Sequence, residues 1–91
     1  MKRIFLSESI HGQIQHLPPN LKKKIRNAFD EILTNPDMGK ALEEELAGMY
    51  SYKLGRVRII YKITRPEITI MGFGPRKTIY EKIALELGRN K

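Results

Sequence analysis

Ninety-one residues with 17 Lys/Arg against 10 Asp/Glu, a net charge of +7 and no cysteine narrow what this chain can be. The length suits one small domain, residues 1–91, that buries roughly 60–65% of its unfolded surface, and without thiols, with two isolated histidines, neither a disulfide framework nor a metal or cofactor site is expected. No apolar run approaches the roughly 18 residues of a membrane span and MKRIFLSES is too short a start for a signal peptide, so a cytoplasmic protein with no membrane partner is expected.

Charge is distributed unevenly. Residues 50–82 hold eight Lys/Arg and two Asp/Glu, which is six of the seven net charges. A polyanionic partner, nucleic acid or the ribosome, is expected to meet that segment.

In chain order, Arg3 to Ser7 reads as a short strand, and the continuous run Ile4, Phe5, Leu6 predicts a place inside the sheet, covered on both faces. Ile10, Ile14 and Leu17 recur at helical spacing after Ser7 or Ser9, either of which can cap the first turn. Pro18 and Pro19 stop this helix. Asn20 is the expected cap of a second helix whose face is Leu21, Ile25, Ala28, Phe29, Ile32 and Leu33. Its Lys22, Lys23, Lys24 and Arg26 read as a solvated face or as a rim for a phosphate backbone. Asn35-Pro36-Asp37 ends it, and residues 39–48 read as irregular, with Glu43, Glu44 and Glu45 in a solvated turn.

From Met49 the period changes to two. Tyr50, Tyr52 and Leu54 share one side of a strand, and Ser51 and Lys53 the other. Gly55-Arg56 turns the chain into a second strand with Val57, Ile59, Tyr61 and Ile63 on one face, where Tyr61 reads as core, and Arg58, Ile60 and Lys62 on the other. Arg65-Pro66-Glu67 leads into a third strand, Ile68 to Phe73, and Gly72 and Gly74 allow a bulge or bend at its end. Pro75-Arg76-Lys77 reads as a presented loop before a terminal helix, Thr78 to Leu87, closed by Gly88. The expected fold is α+β: a mostly antiparallel twisted sheet, made of an N-terminal strand and a three-stranded meander, with two N-terminal helices on one face and a short C-terminal helix. The face carrying Ser51, Lys53 and Arg58 is expected to be open.

Elimination narrows the chemistry. No Ser, Cys or Thr stands beside an evident base, His11 and His16 read as exposed or packing histidines, and no carboxylate pair suits glycoside hydrolysis. The Gly-x-Gly at 72–74 lacks the rest of a nucleotide-binding loop. What remains is Lys, Arg and Tyr, a set that suits a phosphodiester: guanidinium groups hold phosphate bidentately and stabilise the charge of a pentacovalent transition state. In RNA the 2′-hydroxyl supplies the nucleophile if one group takes its proton and another protonates the leaving oxygen. The residues alone leave Lys53, Arg58 and Arg76 open to a second reading, as ordinary surface cations.

The run LAGMYSYKLGRVRIIYKI, a further strand and then GPRKTIYEK resemble the RelE/ParE toxin superfamily, in which a leucine-x-glycine lead-in, an arginine-bearing strand ending in isoleucine-tyrosine and a late basic loop before a tyrosine follow in this order. The RelE-like branch, favoured here, implies the toxin of a toxin–antitoxin pair that cleaves messenger RNA in the ribosomal A site without metal, leaving a 2′,3′-cyclic phosphate. On that pattern Lys53 handles the 2′-hydroxyl proton, Arg58 and Arg76 bind the scissile phosphate, and Tyr80 positions a base. Ser51 departs from it, standing where the branch has a second lysine two residues before Lys53; Arg56 and Lys77 are the nearby candidates to compensate and, with the cations of the second helix, to contact RNA or ribosome. The resemblance also implies a cognate antitoxin as partner. The alternatives are a ParE-like inhibitor of DNA gyrase and a non-catalytic member that binds nucleic acid or only holds its antitoxin. Ser51→Lys is expected to raise cleavage by an attenuated ribonuclease and to change nothing if gyrase is the target.

Overall fold

Strand alternation in the meander decides where each layer forms, because every strand sends successive side chains to opposite faces. The computed structural model describes residues 3–89. In order it has β1 (Arg3–Phe5), α1 (Glu8–Gln15), α2 (Pro19–Thr34), β2 (Lys40–Ala41), β3 (Met49–Leu54), β4 (Val57–Thr64), β5 (Glu67–Pro75) and α3 (Arg76–Arg89), with single 3-10 turns at Pro36–Met38 and Glu44–Leu46. The five strands form one sheet in the order β1-β5-β4-β3-β2, antiparallel except for the β1–β5 pair.

One face of this sheet is sealed. Ile59, Tyr61, Ile68 and Ile70 pack with Ile10 and Ile14 of α1 and with Ile25, Ala28, Phe29 and Ile32 of α2. The apolar spacing along α2 therefore does what it predicts, and Ile25 and Ile32 are fully buried. Ser7 caps α1, its Oγ accepting from the Ile10 amide at 3.2 Å. The helix α2 starts two residues earlier than expected, at Pro19 after Pro18, with no side-chain cap from Asn20; proline suits the first turn because no intrahelical partner exists there for the amide it lacks.

The other face is half covered. Leu46, Met49, Ile60, Ile79 and Ile83 form a second cluster beneath α3. Helices thus lie on both faces, a correction to the expectation of a bare cationic face. Close contact is possible because Gly72 has no side chain: a Cβ there would stand 3.0 Å from Cδ1 of Ile79 and 3.4 Å from that of Ile83. The expected bend is a bulge one residue earlier, with Met71 unpaired between Tyr61–Ile70 and Ile60–Gly72. It shifts the alternation by one, so that Ile68 and Ile70 before it and Phe73 after it reach the same α1–α2 cluster.

Three further expectations change. The strand β1 is an edge, not an interior strand: Ile4 and Leu6 pack inward while Phe5, on the alternate side, is 48% exposed. The presented loop at 75–77 does not exist, since α3 begins at Arg76 directly after Pro75, and Gly88 lies within that helix rather than closing it. Residues 39–48 are more ordered than expected and contribute β2 as well as the buried Leu46, though Glu43, Glu44 and Glu45 are exposed as anticipated.

Candidate polyanion-binding site

Lys53 and Arg58 are direct partners across the β3–β4 hairpin, which the two-residue turn Gly55-Arg56 closes. Their side chains fall on the α3 face, away from α1 and α2. Like charges set opposite one another cost a few tenths to about 1 kcal/mol, and neither has a carboxylate within 4 Å: among the described residues the one ion pair is Arg3–Glu67, at the far edge. Because β5 runs into α3 without a loop, Arg76 and Tyr80 stand one helical turn apart, on the same side of the helix.

The edge strand β2 completes the wall. Lys40 pairs with Ser51, so its side chain shares Ser51's face. Tyr61 fixes the approach of this strand from the sealed side: its buried hydroxyl donates to the Pro36 carbonyl at 2.6 Å and accepts from the Gly39 amide at 3.2 Å. A Cβ on residue 39 would lie 2.5 Å from that oxygen, so glycine is required. Burial raises the Tyr61 pKa, partly opposed by the Gly39 amide, and keeps the phenol a donor.

The result is a hollow of about 230 Å³ lined by Lys40, Ser51, Lys53, Arg58, Arg76 and Tyr80. Four cations, two hydroxyls and no carboxylate meet there. The first turn of α3, which begins at Arg76 on the wall of the hollow, carries no acid. Ser51 is 5% exposed and accepts from the Tyr80 hydroxyl at 2.9 Å. The Tyr80 ring lies against the Ile60–Ile79–Ile83 cluster while its hydroxyl is held at the wall by Ser51. Such a set can bind a phosphate and orient a neighbouring ring, and no cluster of three potential metal ligands occurs among the described residues.

Lys53, Arg58, Arg76 and Tyr80 are thus brought together as the sequence suggests. The two proposed compensators are not. Arg56 lines a different, larger cavity of about 480 Å³ between α2 and the hairpin, with Leu21, Lys24 and Tyr52, and Lys77 is exposed on α3 outside the hollow. In that larger cavity Tyr52 donates to a Glu31 carboxylate oxygen. This bond, then burial and the Glu31 charge, push the Tyr52 pKa up to about 12. Lys22, Lys23, Lys24 and Arg26 belong to α2, behind the sheet from the hollow. Lys40 was missed because two residues of strand show no periodicity; the Gly39-Lys40 pair after a proline turn is the only trace it leaves in the sequence.

Residues 6–80 match the family model described as the ParE toxin of the type II toxin–antitoxin system parDE. No curated protein sequence matches significantly. Among solved structures, the free-state structure of a double-arginine mutant of Escherichia coli toxin RelE superposes with a TM-score of 0.73 at 13% identity, covering 96% of this chain and 94% of that one. A RelBE toxin–antitoxin complex from Mycobacterium tuberculosis gives 0.71 at 23% identity, covering 81% and 96%. The YoeB–YefM complex from Staphylococcus aureus gives 0.61 at 25% identity, covering 74% and 87%. The α+β fold is therefore that of RelE-like toxins, and the chain belongs to the ParE toxin family of type II toxin–antitoxin systems, within the RelE/ParE superfamily.

Proposed function

We propose that this toxin is a cytoplasmic endoribonuclease that cuts messenger RNA in the ribosomal A site by attack of a 2′-hydroxyl on the adjacent phosphate. The observation that carries this reading is the convergence of Lys53, Arg58, Arg76 and Tyr80 on one hollow free of carboxylates. Lys53 takes or polarises the proton of the 2′-hydroxyl. Arg58 and Arg76 hold the non-bridging oxygens and stabilise the charge that develops as the P–O5′ bond breaks, and the leaving 5′-oxygen takes its proton from solvent. Tyr80, tethered by Ser51, offers its ring to a base. The residues position poorly a substrate that is itself flexible, so cleavage of free RNA is weak and the ribosome supplies the ordering.

The same chain is held inactive by a cognate antitoxin, a reading supported by the toxin–antitoxin complexes among the structures it resembles. Inhibition of DNA gyrase is the second reading, favoured by the description of the matching family and by Ser51 in place of a lysine. Mapping messenger ends on translating ribosomes separates the two. Codon-phased cuts that disappear in Arg58→Ala are expected; intact messenger together with arrested supercoiling by gyrase would transfer the protein to the second reading.

A further inference from the structure

Position 51 is where this chain lacks a cation, and the residue paired with it across the edge of the sheet is a lysine. Lys40 lies opposite Ser51 in the β2–β3 register and lines the same hollow as Lys53, Arg58 and Arg76. We infer that Lys40 is a phosphate-binding residue of the site, supplying from the neighbouring strand the ammonium group that Ser51 does not.

The placement is built rather than incidental. A two-residue edge strand has little to hold it, yet here it is fixed from both sides. On β3, backbone pairing sets Lys40 against Ser51 and Ala41 against Tyr50, and the Leu42 amide donates to the Met49 carbonyl at 2.9 Å. On the other side the buried Tyr61 hydroxyl bridges Pro36 and Gly39, immediately before Lys40. Gly39 permits that bridge, because any side chain there would collide with the phenol. The backbone at Lys40 is thus anchored in the core while its side chain stays exposed, the condition for a cation meant to meet a ligand rather than a carboxylate of its own fold.

Ser51 gains a role by the same arrangement. A small hydroxyl at 51 leaves room for Tyr80 to reach the strand and be tied there at 2.9 Å, so the position trades a cation for a positioning contact while the lost charge reappears on the adjacent strand. The ligand this set fits is a polyanion with at least two neighbouring phosphates, since four cations around about 230 Å³ exceed what one phosphate needs.

This inference rests on the polyanion site and deepens the ribonuclease reading, and the test distinguishes their failures. Binding of a short single-stranded RNA is measured by fluorescence anisotropy across a salt series, for the wild-type chain and for Lys40→Ala, Lys40→Arg and Arg65→Gln, the last an exposed cation in the β4–β5 turn, away from the hollow. Each phosphate contact contributes about 0.7 to the slope of log affinity against log salt. Lys40→Ala is expected to flatten the slope by about that amount, with Lys40→Arg restoring it and Arg65→Gln leaving it unchanged, and to slow ribosomal cleavage roughly tenfold to a hundredfold. The wild-type slope in Lys40→Ala with wild-type cleavage would overturn the assignment and leave the ribonuclease reading standing. An equal loss in Arg65→Gln would also overturn it, by reducing the effect to net charge. A slope change specific to Lys40 in a protein that leaves messenger intact would uphold the phosphate contact and remove the ribonuclease reading. If the wild-type chain shows no salt-dependent RNA binding, the assignment falls.

Discussion

The two faces of the sheet are made from the same strands and have opposite fates. On one, Ile59 and Tyr61 are buried and Tyr50 and Tyr52 half-buried under α1 and α2; on the other, Met49 and Ile60 are covered by α3, while Lys53, four residues past Met49, is exposed and Arg58, two residues before Ile60, is half-buried. One face is closed by apolar contact under α1 and α2 except at the hairpin end, where the cavity of about 480 Å³ opens. The second is closed only as far as α3 reaches, and the uncovered remainder gathers cations that repel one another and have no acidic partner among the described residues. The difference teaches where stability ends and binding begins: the boundary runs through Tyr80, whose ring belongs to the core and whose hydroxyl belongs to the site.

If that division is right, substitutions on the two faces should separate stability from activity. The largest effect is expected from Ile32→Ala under α2. Ile32 is fully buried, and its truncation should cost about 2–5 kcal/mol in urea unfolding, a large part of the total for a domain of this size. A loss below about 1 kcal/mol would mean that the sealed face is less tightly packed than its burial implies.

Next is Ser51→Lys, at the boundary itself. The geometry reverses the expectation drawn from the sequence. Ser51 is buried and holds Tyr80, so a lysine there must leave the wall, release the tyrosine and place its charge beside Lys40. It should therefore lower cleavage rather than raise it, with a stability loss of roughly 1–3 kcal/mol from the disrupted contact. Increased cleavage at unchanged stability would show the serine to be an attenuating substitution after all.

Lys53→Ala probes the open half. Removing one of two facing like charges should raise stability by roughly 0.2–1 kcal/mol while abolishing cleavage. A fall in stability would mean that the Lys53 stem contributes packing that its exposure does not suggest.

The smallest effect concerns the larger cavity. Tyr52 has a folded pKa of about 12 against an ordinary 10.0. A group whose folded pKa is raised contributes stability that is present below the unfolded value and lost as pH climbs through the folded one. Stability should therefore decline between about pH 10 and 12 through Tyr52, and the decline should be shallower in Tyr52→Phe. An identical pH profile in the two proteins would show that the Glu31 bond has no thermodynamic weight.

Much of this division was legible in the sequence, for a physical reason. Period-two alternation in β3 and β4 assigns Tyr61 to the core and Lys53 and Arg58 to the opposite face without any tertiary information, and the helical spacing of Ile79 and Ile83 fixes which side of α3 is buried. What escaped depended on long-range contacts. The edge position of β1 follows from pairing with β5 on one side only, which an apolar run of three cannot reveal. The direct passage from β5 into α3 was hidden by Pro75, which reads as a loop residue and is also an acceptable end to a strand. Lys40 lay in a stretch whose order comes from the bond between Gly39 and Tyr61, 22 residues apart. Arg56 and Lys77 seemed near the site along the chain, and each belongs to a different surface.

The central claim is that the cationic hollow directs attack by a ribose hydroxyl. It is tested most directly by programming ribosomes with two messengers that differ only in whether the 2′-hydroxyl at the scissile A-site position is free or methylated. The account predicts cleavage of the first to a 2′,3′-cyclic phosphate and none of the second. Equal cleavage of both, or of neither, would contradict it.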